Sequence, residues 1–329
     1  RFVNPFIYLN PTSMFSINSF LYSAYILIGV VYLIIMFRNN EKWVGRIGLL
    51  AVIWAVLVHS GTGYIFGAVP RELYESPLLA PSFVAAALSS GTALIIILIQ
   101  ISFRLTGRYL DMELIRRLSR LLAVFVVVVF YFIAVENLFR AYIPKSREAE
   151  WFFLFGEHFH DVLKGNFSAF FSTGLAGSVH HLVFWFGLIL TGIFIPAIIL
   201  FHSRLKQSIK WINIASIMVV LGVLCERYII VIPGQTHKPE LVPGAKVIVE
   251  SVDKLAQTVG GVAQYTISRG EIIQAVGIAS IVVVAFLIGI KILNFLPTEA
   301  RQSAQVPTNT QQESDADIQS DTTTDESGS

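Results

Sequence analysis

The sequence predicts an all-α integral membrane protein built as a transmembrane helix bundle. Hydrophobic residues make up 54% of its 329 residues and charged residues only 14%, whereas about a quarter of a soluble globular chain is charged. Seven apolar stretches each reach the length of about 20 residues that a helix needs to cross a bilayer. They cover residues 14–37, 44–67, 79–103, 115–138, 178–201, 211–232 and 271–293.

The bulk composition argues against several other classes of protein. A net charge of +2 provides no basic field for nucleic acid. The single cysteine, Cys225, excludes an internal disulfide, and a thiolate-bound iron–sulfur cluster or zinc finger would need several cysteines. We therefore expect no metal site and no iron–sulfur cluster in this chain.

Charge in the loops predicts the orientation. The short loops at 38–46, 104–120 and 202–210 hold 11 Lys and Arg in 35 residues, whereas the longer loops mix basic with acidic residues. The positive-inside rule then places Arg1 outside a cytoplasmic membrane and the C-terminal tail in the cytoplasm. Because the chain begins with Arg rather than Met, we expect further helices upstream.

The expected domain organisation has four parts. They are a first transmembrane bundle at 1–138, an outer loop at 139–177, a second bundle at 178–295 and a tail at 296–329. Within the outer loop, Trp151 to Leu163 alternates aromatic residues with His158, His160 and Asp161, which predicts an interfacial helix or a lid. The tail is rich in Ser, Thr, Gln and Asp, which predicts an acidic, disordered segment.

Four of the predicted spans carry polar residues toward their outer ends. These residues are Asn18 in the first span; His59, Ser60 and Tyr64 in the second; Glu136, Asn137 and Arg140 in the fourth; and Glu226 and Arg227 in the sixth. An ionisable group within a span costs about 2.5–3.5 kcal/mol on insertion scales. Unrelated snorkelling side chains and interhelical hydrogen bonds need not share a depth. We therefore favour one polar pocket at the outer membrane boundary, open to lipid.

Taken singly, the polar residues have competing interpretations. Glu136 and Arg140 are spaced i, i+4, so they can form a structural pair on one helix face. Glu226 and Arg227 are adjacent and point to different faces, and Glu226 is the better proton carrier of the two. His59 can donate a hydrogen bond or exchange protons near neutral pH, but a packing histidine is an equally good interpretation.

Histidines also raise the possibility of a haem. His180 and His181 lie toward the same outer side as His59, so one haem with axial histidines on facing helices is geometrically possible. A second haem would need a pair on the inner side, where only His202 is found. We treat the haem cytochrome as the weaker alternative and expect no haem in this chain.

Four sequence segments together resemble the NrfD/PsrC family, the membrane subunits of polysulfide reductase-like respiratory complexes. They are NPTSMFSIN (Asn10 to Asn18), HSGTGYIFG (His59 to Gly67), PSFVAAALSSGTALIII (Pro81 to Ile97) and ERYIIVIPG (Glu226 to Gly234). The resemblance covers about residues 5–295. It is greatest to the branch holding the DsrP, HmeB-type and alternative complex III membrane subunits.

The resemblance implies two four-helix bundles, of which the first is N-terminally incomplete here. It also implies a quinone site near the outer face with no cofactor of the chain's own. His59, Tyr64 and Glu136 would line or adjoin that site. From their shared depth we assign Ser60, Asn18 and Arg140 to the same quinone and proton site. Glu226 and Arg227 would belong to the polar centre of the second bundle. Related chains often have an acidic residue where this chain has Asn18, which puts proton delivery through the first span in doubt.

The functional prediction is a quinone- or quinol-binding subunit of a multi-subunit respiratory oxidoreductase, not catalytic alone. Its quinone would be menaquinone or a relative, with His59 or Tyr64 as hydrogen-bond donor and Glu136 as proton exchanger. The expected partner is a ferredoxin-like iron–sulfur subunit on the outer face, and further partners of the cytochrome c or b type are considered. The alternative is a proton- or ion-translocating or transporter subunit with Glu136, Glu226 and Arg227 as its path.

Overall fold

A computed structural model describes most of the helical part of the chain. The described residues are 10, 12–38, 40–69, 73–107, 110–156, 161, 164–171, 179–236, 258–259, 262–263 and 268–292. Their helices are α1 (Met14–Phe37), α2 (Glu41–Gly67), α3 (Leu79–Thr106), α4 (Met112–Tyr142), α5 (Pro144–Phe155), α6 (His180–Phe201), α7 (Ile209–Thr236) and α8 (Arg269–Ile292).

Short elements accompany these helices. Residues Phe167–Phe171 and Leu205–Gln207 form 3₁₀ turns before and after α6. Two strands of two residues each, β1 (Thr258–Val259) and β2 (Val262–Ala263), pair antiparallel with Thr258 opposite Ala263. This hairpin is too small to change the fold class.

The all-α transmembrane prediction is confirmed. Seven of the described helices, all except α5, are long and apolar enough to cross a membrane. Helices α3 and α4 are longer than the predicted apolar stretches. Their terminal turns carry charged residues, Arg104 on α3 and Glu113 and Arg140 on α4, and a prediction based on hydropathy ends before such residues. Helix α7 continues through Pro233 to Thr236, although proline removes one backbone hydrogen bond from a helix interior.

The chain divides into two compact units. The first comprises Arg1–Ile99 and Met112–Thr266, and the second comprises Gln100–Asp111 and Ile267–Ser329. All site residues predicted from the sequence belong to the first unit. The predicted bundles at 1–138 and 178–295 stay predictions.

Glycines bring the helices of the first unit close together. A Cβ atom built on Gly63 of α2 would lie 2.6 Å from the Ala80 Cα atom of α3. A Cβ on Gly192 of α6 would lie 2.6 Å from the Gly222 Cα atom of α7. Small residues at such crossings let helix backbones approach within a bilayer, where packing rather than hydrophobic burial drives association.

Helix α6 is not a regular α-helix. Its middle, Val183–Phe194, is π-helical, between α-helical turns at His180–Leu182 and Ile195–Phe201. π-Helical stretches of this length are rare. The segment packs along α7, so its wider turns position Gly192 and its neighbours against that helix.

The segment predicted as an outer loop, 139–177, contains a short helix that begins before the predicted Trp151. Helix α5 starts at Pro144, and Pro is favoured in the first helical turn. It ends at Phe155 and is followed by Gly156, whose φ of 79° lies in the left-handed region that glycine adopts without strain. His158, His160 and the predicted tail at 296–329 lie outside the described residues.

Candidate functional site

Arg140 joins two buried carboxylates at the end of α4. Its guanidinium donates to the carboxylate of Glu136, one turn earlier on the same helix. The Arg140 Nη1 atom also lies 3.8 Å from Oε2 of Glu150 on α5. The predicted i, i+4 pair of Glu136 and Arg140 therefore forms, and Glu150 is a second carboxylate next to Arg140. We call Glu136, Arg140 and Glu150 the Arg140 cluster.

Glu150 is fully buried, although it lies on a short helix outside the membrane-spanning segments. Burial raises the pKa of Glu150 from 4.5 to about 7; Arg140 opposes this rise and Glu136 adds to it. Neither Glu150 oxygen has a hydrogen-bond partner among the described residues. A carboxyl group with a pKa near neutrality can gain and lose a proton under physiological conditions.

Glu226 and Arg227 on α7 face different surroundings, as their adjacency predicts. Glu226 is buried, and neither of its carboxylate oxygens has a hydrogen-bond partner in the described part of the chain. It lies within electrostatic range of Glu136, which connects α7 with the Arg140 cluster. The Arg227 guanidinium carbon lies 3.6 Å from the ring centroid of Phe83 on α3, a cation–π contact.

Asn18 binds α2 through a small hydrogen-bond network. Its Nδ2 atom donates to Oγ1 of Thr62 at 3.2 Å, and the hydroxyl of Tyr22 lies 3.0 Å from the same Oγ1 atom. The Asn18 Oδ1 atom is buried and has no hydrogen-bond partner among the described residues. Tyr22 is within electrostatic range of Arg227, so the network extends toward α7.

His59 makes its hydrogen bond within its own helix. Its Nδ1 atom lies 2.8 Å from the Ala55 carbonyl oxygen, and because a carbonyl only accepts, Nδ1–H is the donor. In neutral His59 the Nε2 atom is therefore an acceptor. Helical spacing puts His59 on the same side of α2 as Phe66, whose ring stacks on Phe83 with centroids 6.0 Å apart.

An apolar groove of about 500 Å³ opens between α2, α3 and α4. Its lining comprises Val56, Ser60 and Tyr64 of α2, Ala80, Pro81, Val84, Ala85 and Leu88 of α3, and Val124, Phe125, Val128 and Phe132 of α4. Ser60 and Tyr64 contribute the hydroxyl groups of an otherwise apolar lining. Glu136 lies one helical turn beyond Phe132 on α4, on nearly the same face.

The predicted site residues therefore fall into three groups. Glu136 and Arg140 form the Arg140 cluster with Glu150, and Glu226, next to Arg227 on α7, lies within electrostatic range of Glu136. Asn18 belongs to the network with Thr62. Ser60 and Tyr64 line the groove, whereas His59 is not among its lining residues.

The histidines at the start of α6 have protein partners. His181 Nε2 donates to the Phe170 carbonyl at 2.7 Å, and His180 Nδ1 lies 3.3 Å from the Tyr228 hydroxyl. Among the described residues, no group of three or more His, Cys, Asp and Glu side chains is arranged to hold a metal ion.

Comparison with known proteins identifies the family. The model of the family described as "Polysulphide reductase, NrfD" matches residues 1–239. The chain belongs to the NrfD family. Seven candidate spans and this membership establish a multi-pass membrane protein.

Named relatives of this NrfD protein come from several oxidoreductases. The Hdr-like menaquinol oxidoreductase integral membrane subunit of Archaeoglobus fulgidus is 38% identical over 303 residues, which are 91% of this chain and 70% of the relative. A putative dimethyl sulfoxide reductase membrane subunit of Halobacterium salinarum is 30% identical over 73% of this chain and 51% of its own length. A selenate reductase subunit of Mesobacillus selenatarsenatis is 29% identical over 60% of this chain and 41% of its own length.

Sequence reasoning missed three residues of the site of this NrfD protein. Glu150 lies in a loop segment with ordinary polarity, and nothing in its spacing signals complete burial. Thr62 lies within an apolar helix, where its hydroxyl bonds the Val58 carbonyl as well as Asn18. In the sequence, Phe83 cannot be distinguished from a lipid-facing aromatic residue. Its role becomes visible only in the structure, where Arg227 of α7 lies over its ring.

Proposed function

We propose that this chain is the quinone- or quinol-binding membrane subunit of a multi-subunit respiratory oxidoreductase. The observation that carries the proposal is the apolar groove at Ser60 and Tyr64, which approaches a buried, titratable cluster at one end. Membership of the NrfD family supports the same conclusion. So does the similarity to a subunit named for menaquinol oxidation.

The groove suits a quinone and its isoprenoid tail. Small-molecule sites are mostly apolar with a few convergent polar groups, and here two hydroxyls, of Ser60 and Tyr64, stand in a wall of aliphatic and aromatic side chains. Tyr64 is 47% exposed, so its hydroxyl is accessible to a lipid-soluble ligand. Either hydroxyl can donate a hydrogen bond to a quinone carbonyl.

Proton exchange is assigned to carboxylates next to the groove. Oxidation of one quinol releases two electrons and two protons, and the protons need acceptors close to the ring. Glu136 lies one turn beyond the groove lining, and Glu150 connects it to a helix outside the spans. We therefore infer a proton route from Glu136 through the Arg140 cluster to the side of the membrane on which α5 lies.

Electrons must leave through another protein of the complex. We propose an iron–sulfur partner that docks on the outer loops, on the same side as α5 and the Arg140 cluster. Such a partner takes the two electrons of each quinol or returns them in quinone reduction. With Arg1 outside and the tail in the cytoplasm, the docking side would be extracytoplasmic.

The test is to fill the groove in the native complex. Ser60→Phe would place a ring in the cavity, and we expect quinol oxidation by a soluble menaquinol analogue to fall at least about 10-fold, because the added volume excludes the ligand. The matched control is Val52→Phe, two turns earlier on α2, where the side chain is 62% exposed. The control should turn over like the wild type.

Two readouts separate a blocked site from a misassembled complex. The set of subunits that co-purify should be unchanged in both variants, and extracted quinone should be depleted only in Ser60→Phe. Wild-type turnover and wild-type quinone content in an intact Ser60→Phe complex would contradict the proposed site.

A further inference from the structure

A second cavity, of about 510 Å³, lies at the other end of α4. Its lining residues are Glu113, Arg116, Ser119, Arg120, Lys206 and Gln207. The first four lie on the opening turns of α4, and the last two lie on the 3₁₀ turn that follows α6. Arg116 and Glu136 are 20 residues apart on one helix, so this cavity is about 30 Å from the Arg140 cluster.

The cavity carries an excess of positive charge. The one acid in its lining, Glu113, is shared, since its Oε1 atom lies 3.3 Å from both Arg117 Nε and Arg120 Nη2. Over the described residues, neither Arg116 nor Lys206 forms an ion pair with a carboxylate. Two cations that line a cavity without a carboxylate partner favour an anionic ligand.

The position of the cavity matches the headgroup layer of a bilayer. It lies where the span Met112–Tyr142 begins and just after the span His180–Phe201 ends. Large apolar side chains close in sequence to its lining residues are exposed, including Leu121 at 45% and Phe201 at 59%. An acyl chain can lie along these side chains while a phosphate reaches Arg116 and Lys206.

We propose that this cavity binds the phosphate headgroup of an anionic phospholipid. Arg116 supplies a planar fork that matches phosphate geometry, and Lys206 supplies a point charge from the opposite wall. Basic cavities between helices at a membrane surface are suited to such headgroups. The lipid would connect the start of α4 to the turn after α6. The site is separate from the proposed quinone groove, so either proposal can fail alone.

The experiment compares two double variants of the full chain by native mass spectrometry in detergent. Arg116→Ala/Lys206→Ala removes both unpaired cations of the cavity. Arg204→Ala/Lys210→Ala removes the same charge from two nearby residues that do not line it. The probes are dioctanoyl phosphatidylglycerol, dioctanoyl phosphatidylcholine and inorganic phosphate.

The wild type should bind phosphatidylglycerol in preference to phosphatidylcholine, and phosphate alone should not displace it. In Arg116→Ala/Lys206→Ala the affinity for phosphatidylglycerol should fall about 30-fold, with each cation contributing about fivefold. The control pair should lose less than about threefold. Equal losses in the two variants would indicate only diffuse charge attraction and would overturn the proposal. Equal binding of the two lipids would do the same, and tight binding of inorganic phosphate would identify a free-anion site instead.

Discussion

Arg140 Nη1 lies 3.8 Å from Oε2 of Glu150, and the same guanidinium donates to Glu136. This relationship attaches the non-spanning helix α5 to the end of α4. All three side chains are nearly or fully withdrawn from solvent. The pairing therefore decides both the stability of this region and the proton affinity of its acids.

Replacing Arg140 should be severely destabilising. Arg140→Ala leaves two buried carboxylates without their cation, and removing one partner of a buried pair costs about 3–5 kcal/mol. The measurement is the thermal unfolding midpoint of the purified protein in detergent. Arg147→Ala is the control, because this exposed arginine donates only to backbone carbonyls at the end of α4 among the described residues. Similar midpoints for the two variants would show that the cluster contributes nothing to stability.

Glu150 should make stability depend on pH. Its pKa is raised from 4.5 to about 7, so between these values the folded protein holds a proton that the unfolded chain releases. Stability should therefore be greatest below pH 4.5, as far as this group is concerned, and fall as pH rises to about 7. Glu150→Gln should remove that part of the decline in the unfolding midpoint. The exposed Glu41→Gln should retain it, and an unchanged pH profile in Glu150→Gln would disprove the assignment.

Glu136 should be required for turnover but not for quinone binding. Glu136→Gln keeps the shape and a hydrogen-bonding group while removing the exchangeable proton, and loss of a general base costs about 10²–10⁴-fold in rate. The rate of menaquinol-analogue oxidation and the quinone content of the purified complex are the two readouts. Full activity in Glu136→Gln would rule out this residue as the proton acceptor. Glu41→Gln, at the exposed start of α2, should match the wild type.

His59 can be tested by separating its two nitrogens. His59→Asn keeps a donor close to the Ala55 carbonyl but removes the Nε2 acceptor. If Nε2 accepts the quinol proton, turnover should fall at least about 10²-fold while the unfolding midpoint hardly changes. A variant with wild-type turnover would make His59 a packing residue, the competing interpretation of the sequence.

The α6–α7 crossing should tolerate no side chain at Gly222. A Cβ atom there would overlap the Gly192 Cα atom of α6, which is backbone and has little room to move. Gly222→Ala should lower stability by about 1–3 kcal/mol, measured by thermal unfolding in detergent. Gly91→Ala is the control, since a Cβ on Gly91 meets nothing within 4 Å, and it should be neutral or slightly stabilising.

The spans were predictable because their signal is local. Each apolar stretch must satisfy its backbone hydrogen bonds internally in a bilayer, so 14–37 and 79–103 had to be helices whatever their neighbours. The i, i+4 pairing of Glu136 with Arg140 is local in the same sense. The π-helical middle of α6 was not predictable, because its residues have the composition of any apolar helix.

The site was only partly predictable, because it depends on which helix faces meet. Periodicity and depth singled out Glu136, Arg140 and Glu226, but Glu150 gave no signal in the sequence. Ser60 and Tyr64 lie on the face of α2 that lines the groove, whereas His59 is not among the lining residues. The depth of a residue in the membrane follows from its position along a helix. Which other residues its side chain contacts depends on which helix packs against that face, and the sequence does not show this.

The sequence by itself determined that this protein is a helical membrane protein of the NrfD type with polar residues concentrated toward one end of its spans. Hydropathy and charge act residue by residue against the solvent, so they need no knowledge of contacts. Only the tertiary structure decided that Glu150 closes on Arg140, that Arg227 lies over Phe83 and that Ser60 lines a groove. These are pair interactions between distant segments, and their energy exists only once packing has brought the partners together.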